Sequence, residues 1–295
     1  MVTLALVGAG TWGRNYLTAA ERISGVRIKY LVVRNEKSVE RFPSKYTVYT
    51  DIEQLYQHDD IGGVIIATPS STHSALAKEL LQHKYNLLIE KPFAQTIDAA
   101  KEIETLWRQY DSKVLVGHVQ LYNPAYLACK RFLPEIGNSR KISFEGLGSP
   151  PRIDVSVLWD WGPHPASILL DLIDAQIENI SASGSNEEAH FSLQYKNGII
   201  ADAHIAWQAE EKKRELTIEG ENGTIIFDDR SDSQKKVRLE RAGSSTFFEY
   251  NATPPLEVEL REFVDAIDGK REIRSDVELG VRVTELLVNI ENRLR

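Results

Sequence analysis

Through the first 120 residues, short apolar runs alternate with segments whose apolar positions recur at helical spacing. Residues 4–7, 28–33, 64–67, 87–89 and 114–116 read as strands that are apolar on both faces. Between them, 71–83 repeats Leu76, Leu80 and Leu81, and 96–110 aligns Ile97, Ala100, Ile103, Leu106 and Trp107 in one stripe, so both segments are expected to be helices. Doubly apolar strands alternating with helices imply a parallel sheet covered on both sides. A first domain over 1–120 is therefore expected to be a doubly wound nucleotide-binding domain.

The period changes in the remainder, 121–295. Alternating residues 191–195 reach Asn197-Gly198 and resume at Ile199-Ile200; 216–218 reach Asn222-Gly223 and resume at 225–227. Asn-Gly between alternating runs signals a hairpin, because both residues tolerate positive φ, and two hairpins imply an antiparallel sheet. The tail from Leu256 returns to helical spacing, with Leu260, Phe263, Val264 and Ile267 on one face. The charge-rich stretch 228–241 reads as a solvated strand connection.

Composition narrows the class. At roughly 150 residues per domain, 295 residues suggest two domains. With 42% hydrophobic and 26% charged residues, the chain is neither disordered nor fibrous. Its 35 basic against 43 acidic residues give a net charge of −8, a poor field for nucleic acid or an anionic membrane, although one phosphorylated ligand can still find a local positive site. The single cysteine, Cys129, forbids an internal disulfide and suits a reducing cytosol. No apolar run is long enough to span a membrane, and the first residues read as a strand rather than a signal peptide, so a cytoplasmic location is expected.

The chemistry begins at Gly8-Ala9-Gly10-Thr11-Trp12-Gly13, a G-x-G-x-x-G turn after the first strand and opening a helix. The first glycine allows the tight turn, the second lets a pyrophosphate approach the backbone, and the third lets helix pack on strand. The whole turn, Thr11 and Trp12 included, is expected to hold a dinucleotide. After the second strand, where an acid would hold the ribose hydroxyls of NAD, stands Arg34, which can grip a 2′-phosphate. NADP(H) is favoured over NAD(H), with Glu36 as the residue that would serve the ribose instead. Ala67-Thr68-Pro69 with His73, Glu90-Lys91-Pro92 and Gly117-His118 all follow strand carboxyl ends, where such sheets bind ligands.

Farther on, Trp159-Asp160-Trp161-Gly162-Pro163-His164 leads into an apolar helix. If helical, Asp160 and His164 share a face, where a carboxylate can fix and tune an imidazole for acid–base work. A helix-capping Asp beside a satisfied His fits the same spacing. Arg152, near Asp154, suits a substrate phosphate or hydroxyl, or a loop ion pair. Tyr122 and Asn123 are candidate substrate contacts beyond the last parallel strand, and His118 can simply close that strand. No cysteine, histidine or acid cluster has metal-ligand spacing, so no metal is expected.

Together these motifs resemble the Gfo/Idh/MocA family of oxidoreductases, with Glu90-Lys91-Pro92 the most specific and Asp160-x-x-x-His164 next. Tyr122-Asn123-Pro124-Ala125, Glu219-Gly220-x-x-Gly223-Thr224 and Glu262-Phe263-x-x-Ala266-Ile267 extend the resemblance over most of the chain. Leu121-Tyr122 departs from a common Arg-Phe, and the run through Val157 to His164 is similar to a branch associated with sugar-nucleotide metabolism. The resemblance implies a Rossmann domain followed by an α/β domain with a large, mostly antiparallel sheet, which commonly makes a homodimer or homotetramer. It also implies that Lys91, Asp160 and His164 form the catalytic trio, that Glu90 lies beside the nicotinamide, and that Thr68, Pro69 and His73 border the cofactor. Hydride transfer to or from a carbinol carbon of a sugar, cyclitol or sugar-nucleotide is the expected reaction, with His164 or Lys91 moving the proton. A non-catalytic dinucleotide-binding regulator, or an NAD-dependent glycosidase or lyase without net redox change, stays open from sequence.

Overall fold

The first apolar run becomes β1 (Val2–Val7), buried from Thr3 onward. In the computed structural model, which describes residues 1–232 and 234–294, it is followed by α1 (Gly13–Arg22), β2 (Val26–Val32), the short α2 (Glu36–Val39), β3 (Thr47–Tyr49), β4 (Ile61–Ile66), α3 (His73–Gln82), β5 (Leu87–Glu90), α4 (Ile97–Gln109) and β6 (Val114–Gly117). Six parallel strands are ordered β3-β2-β1-β4-β5-β6. This is the doubly wound order, and the direction of winding reverses between β1 and β4. Val7 is in register with Val32 on one side and Ile66 on the other, so the turns after β1 and β4 leave the sheet side by side. On one face Val7, Ile66, Ile89 and Val116 pack with Leu80, Ala100 and Ile103. Strand β3 is too short to show a period of its own.

The chain continues with α5 (Pro124–Phe132), β7 (Ser139–Leu147), α6 (Val157–Trp161), α7 (Pro163–Leu172), β8 (Ile177–Gly184), β9 (Glu188–Tyr195), β10 (Ile200–Ala206), β11 (Lys213–Gly220), β12 (Thr224–Asp228), β13 (Val237–Arg241) and β14 (Ser244–Phe247). These strands form one sheet, β14-β13-β12-β11-β7-β10-β9-β8, antiparallel except for β7 beside β10. Both expected hairpins form, with different turn chemistry. Gly198 alone takes positive φ (86°), in a turn closed by its N–H on the Tyr195 carbonyl. The second turn centres on Glu221-Asn222, whose N–H groups bond the carbonyls of Asn138 and Ile136. The charged stretch 228–241 contains a paired strand: Val237 and Leu239 are buried, while Arg238 and Glu240 point outward. Ser233, within that stretch, lies outside the described residues.

Two helices close the chain, α8 (Pro255–Ile267) and α9 (Val277–Glu291). The compact units are 1–119 with 255–284, and 120–254 with the segment from 285. A second domain running unbroken over 121–295 is therefore corrected: 255–284 returns to the first unit. The cause is packing. Phe263 and Ile267 lie over Gly63 of β4, where a Cβ would come within 2.9 Å of both, and Gly280 sits against Phe93 and Val116. Among the described residues no helix is long and apolar enough to cross a membrane.

Candidate active site

The turn from β1 into α1 is set by backbone contact. Gly8 has φ 93°, and a Cβ there would lie 2.6 Å from the Ala67 carbonyl oxygen; a Cβ on Gly13 would lie 2.0 Å from the Gly8 carbonyl oxygen. Any side chain at either position forces the turn apart. At Gly10, by contrast, a Cβ would meet nothing within 4 Å. Trp12 caps α1 without a side-chain bond, and no acid stands in the first turn. The result is an open cradle of N–H groups at a positive helix end, which fits a dinucleotide pyrophosphate. Thr11 and half-exposed Trp12 belong to its wall.

Beneath this turn lies a buried polar chain. The Trp12 indole N–H and the Tyr16 hydroxyl (2.6 Å) both bond Glu90 Oε1, and the Lys91 N–H bonds Glu90 Oε2 at 3.0 Å. Tyr16 also lies 3.0 Å from Glu259 Oε1, and Glu259 is fully buried on α8. A phenol has one proton, so it can donate to only one of two carboxyls. Burial, then the facing Glu90, pushes Glu259 well above the carboxylate range. The consistent arrangement has protonated Glu259 donating to Tyr16, which donates to Glu90. Burial raises Glu90 as well, opposed by the bonds from Tyr16 and Trp12 and by the charge of Lys91.

Lys91 directly follows β5, in a cis peptide with Pro92. Its neighbouring loop is braced by His73, whose ring nitrogens lie 2.9 Å from the carbonyl oxygens of Pro92 and Thr68. His73 is thus a buried strut joining the segments after β4 and β5. Thr68 bonds Thr72 at 2.7 Å and Pro69 is exposed. His118, 1% exposed, contacts Ser275 Oγ at 2.8 Å; burial, with the charge of Lys91 adding to it, pushes its imidazole down to about 3. It stays neutral beside a cation.

In the second unit, α6 and α7 meet at Gly162, which keeps helical angles, and the Ala166 N–H bonds the Gly162 carbonyl at 3.0 Å. Asp160 and His164 are therefore carried by one nearly continuous helical path, both almost buried. Asp160 Oδ2 accepts from the Trp207 indole at 3.1 Å, and Oδ1 faces Arg152 at 3.4 Å. Asp154 holds the same guanidinium with two bonds of 2.9 and 2.7 Å. Trp161 is wedged between Arg214, 3.8 Å above its ring, and the His164 imidazole at 5.2 Å.

Arg34 stands exposed after β2, whereas Glu36 accepts from Thr50 at 3.2 Å. Tyr122 and Asn123, the expected substrate contacts, both have structural roles in the fold. Tyr122 is fully buried, and Asn123 caps α5 through the Ala125 N–H (3.0 Å) while its amide reaches Asp229. The Asn-Pro helix start governs that segment. Cys129 is buried, and burial pushes its thiol up, as for a packing residue. Tyr16, Glu259 and Trp207 belong to none of the sequence motifs. An acid on the apolar face of α8 was the available signal for Glu259.

The family model for the Gfo/Idh/MocA oxidoreductases, an NAD-binding Rossmann fold, matches residues 2–118, and the model of that family's C-terminal domain matches 146–226. The chain belongs to this family and is an NAD(P)-dependent dehydrogenase or reductase. Oxidoreductase P35 of Formosa agariphila is 30% identical over 222 residues, 66% of this chain and 68% of that protein. UDP-N-acetylglucosamine 3-dehydrogenase of Acidithiobacillus ferrooxidans is 24% identical over 76% of each chain. A solved structure of the enzyme of that name from the same organism superposes with a TM-score of 0.89 over 99% of both chains at 20% identity, a likeness of fold.

The carboxyl chain sets a pH dependence. Glu259 is raised in the folded chain, so its contribution is complete at acid pH and is lost as pH rises from the ordinary carboxylate value toward the folded one. Glu259→Gln keeps an amide donor for Tyr16 and removes the proton demand. Its stability relative to wild type should grow with pH, by at most about 1.4 kcal/mol per unit. Urea unfolding of both proteins across the neutral range checks this; parallel curves would contradict it.

Proposed function

We propose that this dehydrogenase transfers a hydride between NADP(H) and a carbinol or ketone carbon of a sugar-like substrate, whether sugar, cyclitol or sugar-nucleotide. The observation that carries the reading is the anchoring of Lys91. Its neighbour Glu90 is bonded to Trp12 of the glycine turn and accepts from the Lys91 backbone N–H, which holds the Lys91 backbone beside the dinucleotide cradle. The substrate class is supported by relatives named UDP-N-acetylglucosamine 3-dehydrogenase and inositol 2-dehydrogenase.

When bound, the nicotinamide supplies or accepts the hydride. In the oxidative direction His164 takes the proton of the substrate hydroxyl, and Lys91 stabilises the negative oxygen that develops. Asp160, held by Trp207 and Arg152, orients the imidazole and balances its charge. In reduction the same groups return the proton to the carbonyl oxygen. Gly8, Gly10 and Gly13 hold the pyrophosphate, Thr68 and Pro69 border it, and Arg34 binds the 2′-phosphate.

Acid–base groups of this kind are worth on the order of 10²–10⁴ in rate. Lys91→Met and His164→Ala should each lower kcat at least tenfold with NADPH binding retained, as followed by nicotinamide absorbance. Wild-type turnover in both variants would sink the assignment. Charge-assisted contact to a phosphate, about 1.5–3 kcal/mol, should make Arg34→Ala bind NADPH at least tenfold more weakly while NADH binding holds. Equal NADPH affinity by fluorescence titration would remove the basis for the cofactor preference.

A further inference from the structure

The exposed face of the eight-stranded sheet carries a cluster that the reaction does not use. Along β9 the side chains alternate, so Glu188 and His190, two residues apart, share the exposed face while Ala189 and Phe191 are buried beneath it. On β10, His204 lies directly opposite His190 in the antiparallel register. The two imidazoles stack at 3.7 Å with their planes 20° apart. Both Nε2 atoms point at one oxygen, Glu188 Oε1, at 3.2 Å from His190 and 2.8 Å from His204. Among the described residues this is the group of His, Cys, Asp and Glu side chains whose ligand atoms all fall within 4.8 Å of one another.

We propose that Glu188, His190 and His204 form a binding site for a first-row divalent cation of the Zn²⁺ class. The donor set is two neutral imidazoles and one carboxylate, which suits Zn²⁺, Co²⁺, Ni²⁺ or Cu²⁺ and not the all-oxygen preferences of Mg²⁺ or Ca²⁺. Tetrahedral bonds of about 2.0–2.2 Å place neighbouring ligand atoms near 3.3 Å apart, close to the 3.2 and 2.8 Å from the two Nε2 atoms to Glu188 Oε1. The stacked rings swing out of parallel so that both in-plane lone pairs reach the ion. Without the ion the Nε2–H groups donate to Glu188; on binding each imidazole moves to the Nδ1-protonated tautomer so that its Nε2 lone pair meets the cation, and the carboxylate is already ionised. Hydrogen bonds from His204 and His190 hold it below the usual carboxylate range. The remaining coordination positions go to water, because the site opens onto solvent: Glu188 and His190 are half-exposed. A concavity of about 520 Å³ on this face, bordered by Ser143, Glu145, Ser181, Ser183, His190 and His204, gives the cation its path. Bound there, the ion crosslinks β9 to β10 and stabilises the folded sheet.

The other neighbouring histidines do not offer this geometry. His58 Nε2 contacts the Tyr49 hydroxyl at 2.7 Å, and His83 is stacked on Tyr56 at 3.8 Å. They supply the control. The untagged chain, stripped with chelator, is titrated with ZnCl₂ and separately with MgCl₂ by calorimetry. One equivalent of Zn²⁺ per chain and no Mg²⁺ heat are expected. His190→Ala and His204→Ala should each weaken Zn²⁺ binding at least tenfold, and His58→Ala should leave it unchanged. Zn²⁺ should raise the unfolding midpoint of wild type and not of the two sheet variants. All three positions are on the surface, so far-UV circular dichroism is expected to match wild type. Zn²⁺ binding of equal affinity in His190→Ala, His204→Ala and wild type, or less than one equivalent in wild type, would overturn the proposal.

Discussion

The contact between the Gly8 carbonyl and the Gly13 Cα is the constraint on which the first unit depends. With Gly8 in the left-handed region and no side chain at Gly13, the chain leaves β1 and enters α1 within five residues, against the Ala67 backbone at the end of β4. Both turns emerge where the sheet reverses its winding, so one close approach fixes the helix end and the segment carrying Thr68 and Pro69. The same turn swings Trp12 and Tyr16 over Glu90. A cradle for phosphate and an anchor for Lys91 are thus consequences of one backbone geometry.

Electrostatics follow from that burial. Glu90 and Glu259 share Tyr16 in a dry interior, where two carboxylates cannot both stay charged at low cost. Confining the proton to Glu259 leaves Glu90 free to accept three hydrogen bonds and to sit opposite Lys91. His118 is kept neutral on the other side, adding no second cation to the site. Helix α8, which supplies Glu259, therefore belongs to the buried polar chain beneath the glycine turn although it comes from far along the chain.

Much of this was legible in the sequence. The five long parallel strands, both hairpins and the glycine turn all announce themselves, because local periodicity and the demand for glycine are short-range effects. The assignment of Lys91, Asp160 and His164 rests on motif resemblance, and the fold adds Trp207 and Arg152 as the partners that hold Asp160. What was hidden was long-range. Phe263 reads as one face of an amphipathic helix, yet nothing nearby says that the face covers Gly63. The burial of Tyr122 and the capping of α5 by Asn123 likewise depend on packing that the local sequence does not announce. Glu188, His190 and His204 have no ligand spacing along the chain; only the β9–β10 register brings them together.

Gly10 separates the cradle from the scaffold most directly, since a Cβ there would meet nothing within 4 Å beyond its chain neighbours and would project into the space ascribed to pyrophosphate. The decisive measurement is fluorescence titration of Gly10→Val with NADPH, beside its thermal unfolding. The account predicts an unchanged unfolding midpoint and NADPH affinity reduced at least tenfold. Wild-type affinity in the variant would contradict it.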